Sequence, residues 1–186
     1  THKIDIFLSC ADQFDYLDEH STTMGEISCI SKDGNKLLGH AKDPISSDLA
    51  LKQILPEDYW KEKDGEVLCL GAGGAAISIL YNLNRQRQQG NHPSKIFVTD
   101  IRKSRLESIQ KIYRKFDTKV PIELHQCSEI KNNDELTTNL KPHSLIINAT
   151  GLGKDKPGSP FTWDVKYPQN STIWELNYRG ELIFLD

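Results

Sequence analysis

Three glycines and three alanines fill the six positions Gly71-Ala72-Gly73-Gly74-Ala75-Ala76, directly after the apolar run Val67-Leu68-Cys69-Leu70. A run of that make-up between a strand and a helix suits one task, holding a diphosphate. Gly71 lets the chain turn sharply, Gly73 lets the backbone approach the phosphates, and a small residue at Ala76 lets the helix pack close to the strand. The N–H groups at the helix start then face the anion, and the helix dipole favours negative charge there. The pattern predicts dinucleotide binding by Gly71, Ala72, Gly73, Gly74 and Ala75. The plainer alternative is a tight turn of an α/β domain without a ligand.

Asp100 closes the next strand-like segment, Lys95-Ile96-Phe97-Val98-Thr99-Asp100. An acid at that position accepts hydrogen bonds from the adenosine ribose and repels a 2′-phosphate, so it favours NAD, with NADP as the alternative. Arg102, Lys103 and Arg105 follow. They can clamp a phosphate, with Arg102 placed among the cofactor-binding candidates, or form a solvated helix start. The interval from Gly71 to Asp100 exceeds the usual ~20 residues, and the polar stretch around Gly90-Asn91-His92-Pro93 accounts for the excess. Asn148-Ala149-Thr150 closes a further apolar segment, at the carboxyl edge where open α/β sheets bind ligands.

These residues need a frame. Val67–Leu70, Lys95–Asp100, Ile122–His125, Ser144–Thr150 and Ser171–Leu176 read as five strands. Helices are expected over Ala75–Arg87, Lys103–Phe116 and Asn132–Leu140. Alternation at this spacing predicts an α/β fold: a Rossmann-like, doubly wound parallel sheet with helices on both faces. The part before it is mixed. Lys3–Leu8 suits a strand or a helix start, and Phe14–Glu19 a helix or turn. Gly25–Ile30 and Lys36–His40 read as strands about the Lys32-Asp33-Gly34-Asn35 turn, and Pro44–Leu55 as a helix. Trp163 and Trp174 are expected in the core.

Composition narrows the function. The chain has 186 residues, 37% of them hydrophobic and 26% charged, with a formal net charge of −3. It suits a soluble domain with a core of its own, and has no global attraction to nucleic acid or to an anionic membrane. No apolar run approaches the ~20 residues that span a bilayer, and no signal peptide is seen. Cys10, Cys29, Cys69 and Cys127 form no CxxC pair. They are expected as reduced thiols in a cytoplasmic protein. The six histidines lack metal-ligand spacing, so no metal is expected. The chain starts in mid-pattern at Thr1, as a fragment would.

Taken jointly, four segments resemble the shikimate/quinate dehydrogenases. They are Gly71–Ala76 as the family's glycine loop, Asn148-Ala149-Thr150-Gly151-Leu152-Gly153 as its Asn-Ala-Thr loop, Asn177-Tyr178-Arg179-Gly180-Glu181-Leu182 as its tyrosine turn, and Gly34–Asp43 as its Asp-Gly hairpin leading to an Asn-Thr-Asp motif. The resemblance covers residues 34–185. It implies a nicotinamide-dependent oxidoreductase acting on a small cyclic hydroxy acid, and a homodimer is allowed for. It places the catalytic aspartate at Asp43 and the catalytic lysine at Lys3. A lysine ammonium donates a proton to the oxygen on which hydride transfer develops charge. The alternative role for Asp43 is a helix cap before Pro44.

The resemblance also brings Tyr178 and Ser28 toward the substrate, and Leu176, at the end of the fifth strand, toward the cofactor. Ser28-Cys29 and Ala41-Lys42 depart from the family's Asn-Thr pairs, which implies a different cyclic hydroxy acid. They also sustain a second reading, a non-catalytic nucleotide-binding module. On this view residues 1–43 are the closing part of a substrate-binding domain and 44–186 the dinucleotide-binding domain. The rest of the substrate-binding domain would lie before Thr1 and after Asp186.

Overall fold

The computed structural model describes residues 3–87, 90–116, 120–154 and 156–186. The chain opens with a small unit: helix α1 (Lys3–Cys10), a two-residue strand β1 (Tyr16–Leu17), helix α2 (Glu19–Met24) and the hairpin β2 (Cys29–Asp33) and β3 (Lys36–His40). β3 is central, parallel to β1 and antiparallel to β2. Asp18 caps α2, its carboxylate accepting the Ser21 N–H at 2.8 Å, and Gly25 ends it in the left-handed region at φ 65°.

Lys3–Leu8, open between strand and helix from sequence, is helical. The expected strand at Gly25–Ile30 starts only at Cys29, because Gly25 ends α2 and residues 26–28 form the link to the hairpin. Every residue of β2 is exposed.

Helices α3 (Asp43–Ile54) and α4 (Tyr59–Glu62) lead to the larger unit: β4 (Val67–Leu70), α5 (Gly74–Arg87), β5 (Ile96–Asp100), α6 (Lys103–Tyr113), β6 (Ile122–Gln126), α7 (Ile130–Thr138), β7 (Leu145–Asn148) and β8 (Thr172–Glu175). All five strands are parallel, in the order β6-β5-β4-β7-β8. The chain winds outward from β4 to one edge, then returns to its other side. The switch point lies between β4 and β7, the crevice in which such sheets bind ligands.

β4 and β7 are buried at every position, as strands covered on both faces must be. Val67, Cys69, Val98 and Ile147 join the core under α3, α5 and α6. Leu68, Leu70 and Ile146 pack on the opposite face with Leu140, Phe161 and Phe184. Each fully buried leucine contributes about 2 kcal/mol of transfer free energy. Met24 and Ala41 of the small unit join the first of these cores, so the small unit is docked on α5 rather than free-standing. The Ser78 hydroxyl meets the Met24 sulfur at 3.8 Å, and the rings of His20 and Tyr81 meet edge-on at 5.4 Å. Asn82 of α5 donates to the Pro44 carbonyl at 2.8 Å, holding α3 across it.

Trp163, expected in the core, is 78% exposed. It stands on the loop after β7, whose Phe161 takes the buried place. Trp174 does pack against the core. All four cysteines are free thiols. Burial pushes the Cys69 thiol up to about 12, so it behaves as a small hydrophobe. Among the described residues, no helix is long and apolar enough to cross a membrane.

Candidate active site

The glycine turn leaves β4 at the switch point. Gly71 takes φ 98°, and a Cβ there would lie 2.9 Å from the Ala149 carbonyl oxygen, so both the turn and the approach of the β7 loop require glycine. The first intrahelical bond of α5 runs from the Ile77 N–H to the Gly73 carbonyl at 3.1 Å. The N–H groups of Gly74, Ala75 and Ala76 therefore precede the helical ladder, as an anion site at a helix start needs. The Arg105 guanidinium lies beside Gly73, its Nη1 3.5 Å from where a Cβ would stand. Of the three basic residues after Asp100, this is the one brought to the turn.

Asp100 points back into the same turn. One carboxylate oxygen accepts the Ala72 N–H at 3.0 Å and the other the Arg102 N–H at 2.9 Å. The acid thus fixes the turn it was expected to serve, with its Arg102 neighbour 58% exposed and only 3.9 Å from it through Nε.

The β7 loop is fastened by its own side chains. Asn148 is fully buried and donates to Glu175 at 2.7 Å, while its carbonyl oxygen accepts the Thr150 N–H and hydroxyl at 3.1 and 2.6 Å. The Thr150 hydroxyl in turn accepts the Leu152 N–H at 3.1 Å. Ala149 donates its N–H to Leu70 at 2.8 Å, and Leu176 donates to the Asn148 carbonyl at 3.3 Å. The side chains of Asn148 and Thr150 hold this edge in shape, which leaves its backbone beside the glycine turn.

Lys3 and Asp43 are 40 residues apart in sequence and form a direct ion pair between the first turns of α1 and α3. Both are about one-third exposed, so the pair is open to solvent on one side. Asp43 is the first residue of α3, and Lys42 rather than Asp43 stands in the capping position. The Asp43 carboxylate serves the lysine instead of the helix start. A cleft of about 250 Å³ runs from Asp43 past Ser47 and Ser78 to Ala75 of the glycine turn and to Trp174 and Leu176 at the end of β8. Asp43, the helix start and the carboxyl edge of the sheet thus share one depression, with Lys3 reaching it through its ion pair to Asp43.

Ser28 stands next to this corner, with its hydroxyl accepting the Lys42 N–H at 2.7 Å. Tyr178 is 78% exposed, its ring between the Lys154 ammonium at 5.2 Å and the Arg179 guanidinium at 5.7 Å. It is not a core aromatic.

One group at the site was not anticipated. Glu26 is fully buried beside Gly74, and neither of its carboxylate oxygens has a hydrogen-bond partner among the described residues. Burial first, and the charge of Asp43 second, push its carboxyl up to about 7 against the pull of Lys3. Residue type and spacing carried no signal for it, since burial of a lone glutamate is a product of tertiary packing.

Compared with models of known protein families, the chain matches none. Individual proteins do match. It is 25% identical over 170 residues to the shikimate dehydrogenase (NADP(+)) of Streptococcus thermophilus, covering 89% of this chain and 53% of that one. Similar enzymes of other bacteria match at comparable identity. The chain is a relative of the shikimate dehydrogenases.

The fold agrees. Aquifex aeolicus shikimate dehydrogenase superposes with a TM-score of 0.66 at 23% identity, covering 96% of this chain and 56% of that one. Corynebacterium glutamicum quinate dehydrogenase, solved in complex with NAD, gives 0.63 at 20% identity, covering 87% and 51%. The chain spans about half the length of the curated proteins it matches.

Proposed function

We propose that the chain binds a nicotinamide dinucleotide on the glycine turn and belongs to an oxidoreductase that interconverts a cyclic hydroxy acid and its keto form. The observation that carries this reading is the shared cleft. It joins Asp43, the partner of Lys3, to the start of α5 and to the carboxyl edge of the sheet. Residues 1–43 form the closing part of the substrate-binding unit and 44–186 the nucleotide-binding unit.

The residues present fit the cofactor. Gly71 and Gly73 leave the space that side chains would fill, Arg105 supplies a cation beside the turn, and the first N–H groups of α5 point outward from the helix end. A bound nicotinamide supplies or accepts the hydride. Lys3, as the ammonium, gives a proton to the substrate oxygen during reduction and takes it back during oxidation. Asp43 orients Lys3 through their ion pair. Asp100, with both oxygens at the glycine turn, favours the diol ribose of NAD(H) over a 2′-phosphate. Ser28 and Tyr178 are the substrate-side residues of this reading.

The test is turnover of shikimate or quinate with NAD+, followed by the absorbance of the reduced nicotinamide. Reduction that vanishes in Lys3→Ala supports the proposal. Undiminished turnover in that variant removes Lys3 from the mechanism.

A further inference from the structure

Glu26 has no task in the scheme above, yet it lies where that scheme is most sensitive to charge. Its Oε2 occupies the space a side chain on Gly74 would need, 2.7 Å from the position of a Cβ there, so the carboxyl rests on the first residue of α5. Its backbone is held on both sides. The Glu26 N–H donates to the Ser21 carbonyl at 3.3 Å, and the next N–H, of Ile27, donates to the Lys3 carbonyl at 3.1 Å.

The charged groups acting on it are few, and the amino terminus is one of them, with a pull smaller than that of Lys3. α1 brings Lys3, whose ammonium is already paired with Asp43, and α3 brings Asp43 itself, a second negative charge. α5 brings its N-terminal dipole, and Arg105 of α6 lies beside Gly73, the residue before that helix. From α2 the contact is the neutral Ser21. Glu26 is completely buried, accepts no hydrogen bond and has no cation of its own among the described residues.

We propose that Glu26 links dinucleotide binding to a proton, the carboxyl being neutral whenever a diphosphate sits on the first turn of α5. The inference rests on the reading of the glycine turn as the dinucleotide site. A helix start attracts one anion through its unpaired N–H groups and its dipole. An ionised Glu26 would draw on that same field from inside the protein and add a negative charge beside the arriving diphosphate. Burial already sets the carboxyl near the middle of the physiological range, at about 7, so a bound diphosphate needs only to bias an equilibrium that is close to balance. Linkage makes the effect reciprocal: the ligand favours the proton as the proton favours the ligand.

The experiment is a titration of the chain and of Glu26→Gln with NADH, whose diphosphate keeps its charge between about pH 6 and about pH 9. Affinity of the native chain is expected to fall at least ~10-fold across that range, while Glu26→Gln keeps its low-pH affinity throughout. Calorimetry of the native chain in two buffers of different ionisation enthalpy, which needs no variant, is expected to show proton uptake on binding near neutral pH. A flat native profile with no proton uptake overturns the proposal, as does a variant with the native slope. Absence of NADH binding by both proteins at every pH overturns the dinucleotide reading itself, and the proposal with it.

Discussion

The glycine turn and the Lys3–Asp43 corner meet at one cleft, through Ala75 and Asp43, but are built in opposite ways. The turn is made of backbone. It is set between β4 and β7, two strands buried at every position, and works because side chains are missing from it. The corner is made of charges. Its residues come from the first turns of two helices beside a hairpin whose strand β2 is wholly exposed, and one carboxylate holds one ammonium at partial exposure. The first region is secured by apolar burial and tolerates little change of shape. The second depends on which protons are present and tolerates little change of charge.

The largest expected effect sharpens this contrast. Lys3→Ala removes the proton donor but nothing from the turn, so turnover should fall by about 10²–10⁴-fold with no loss of NADH affinity. A parallel loss of affinity, read in the same titration, would join the two regions into one unit and break the comparison.

The buried sheet and the exposed hairpin should differ in stability. Leu68→Ala is expected to cost about 2–5 kcal/mol by urea denaturation, because Leu68 is fully buried in the core it forms with Leu140, Phe161 and Phe184. Ile30→Ala on β2, at 50% exposure, should stay within about 0.5 kcal/mol.

Glu26 lies at the boundary of the two regions and gives the comparison a pH signature. Its carboxyl is raised from 4.5 to about 7 in the folded chain, while the unfolded chain ionises it at the lower value. The native protein thus carries no penalty below 4.5, a growing one from there to about 7, and the whole of it above. Glu26→Gln should gain about 3 kcal/mol on the native chain at about pH 8 and nothing at about pH 4. Denaturation midpoints at the two pH values measure the difference, and an equal offset at both would place the cause in packing rather than charge.

The turn answers to shape rather than to charge. Gly71→Ala forces φ 98° on an alanine and sets its Cβ against the Ala149 carbonyl, so about 1–3 kcal/mol should be lost. The thermal midpoint reads that loss. NADH binding should disappear with it, although no charge has changed.

The two regions also differed in how far they could be read from sequence. Turn chemistry is local. The apolar run before Gly71 and the small residues after it define the element without distant information, and the parallel sheet followed from the alternation of strands with helices. The corner joins residues 40 positions apart, which periodicity cannot pair; only the resemblance brought Lys3 and Asp43 together. Helix α2 was too short for a periodic signal, and its markers were the capping Asp18 and the terminal Gly25. Trp163 was misplaced because an apolar residue in a loop does not declare which of its neighbours the core will take. Glu26 was invisible because nothing local distinguishes a buried glutamate from a solvated one.

Direct titration of the chain with NADH and with NADPH, read by nicotinamide fluorescence, tests the central claim. The glycine turn and Asp100 predict saturable binding of NADH, tighter than that of NADPH. Tighter binding of NADPH would contradict the role given to Asp100, and binding of neither would contradict the dinucleotide site.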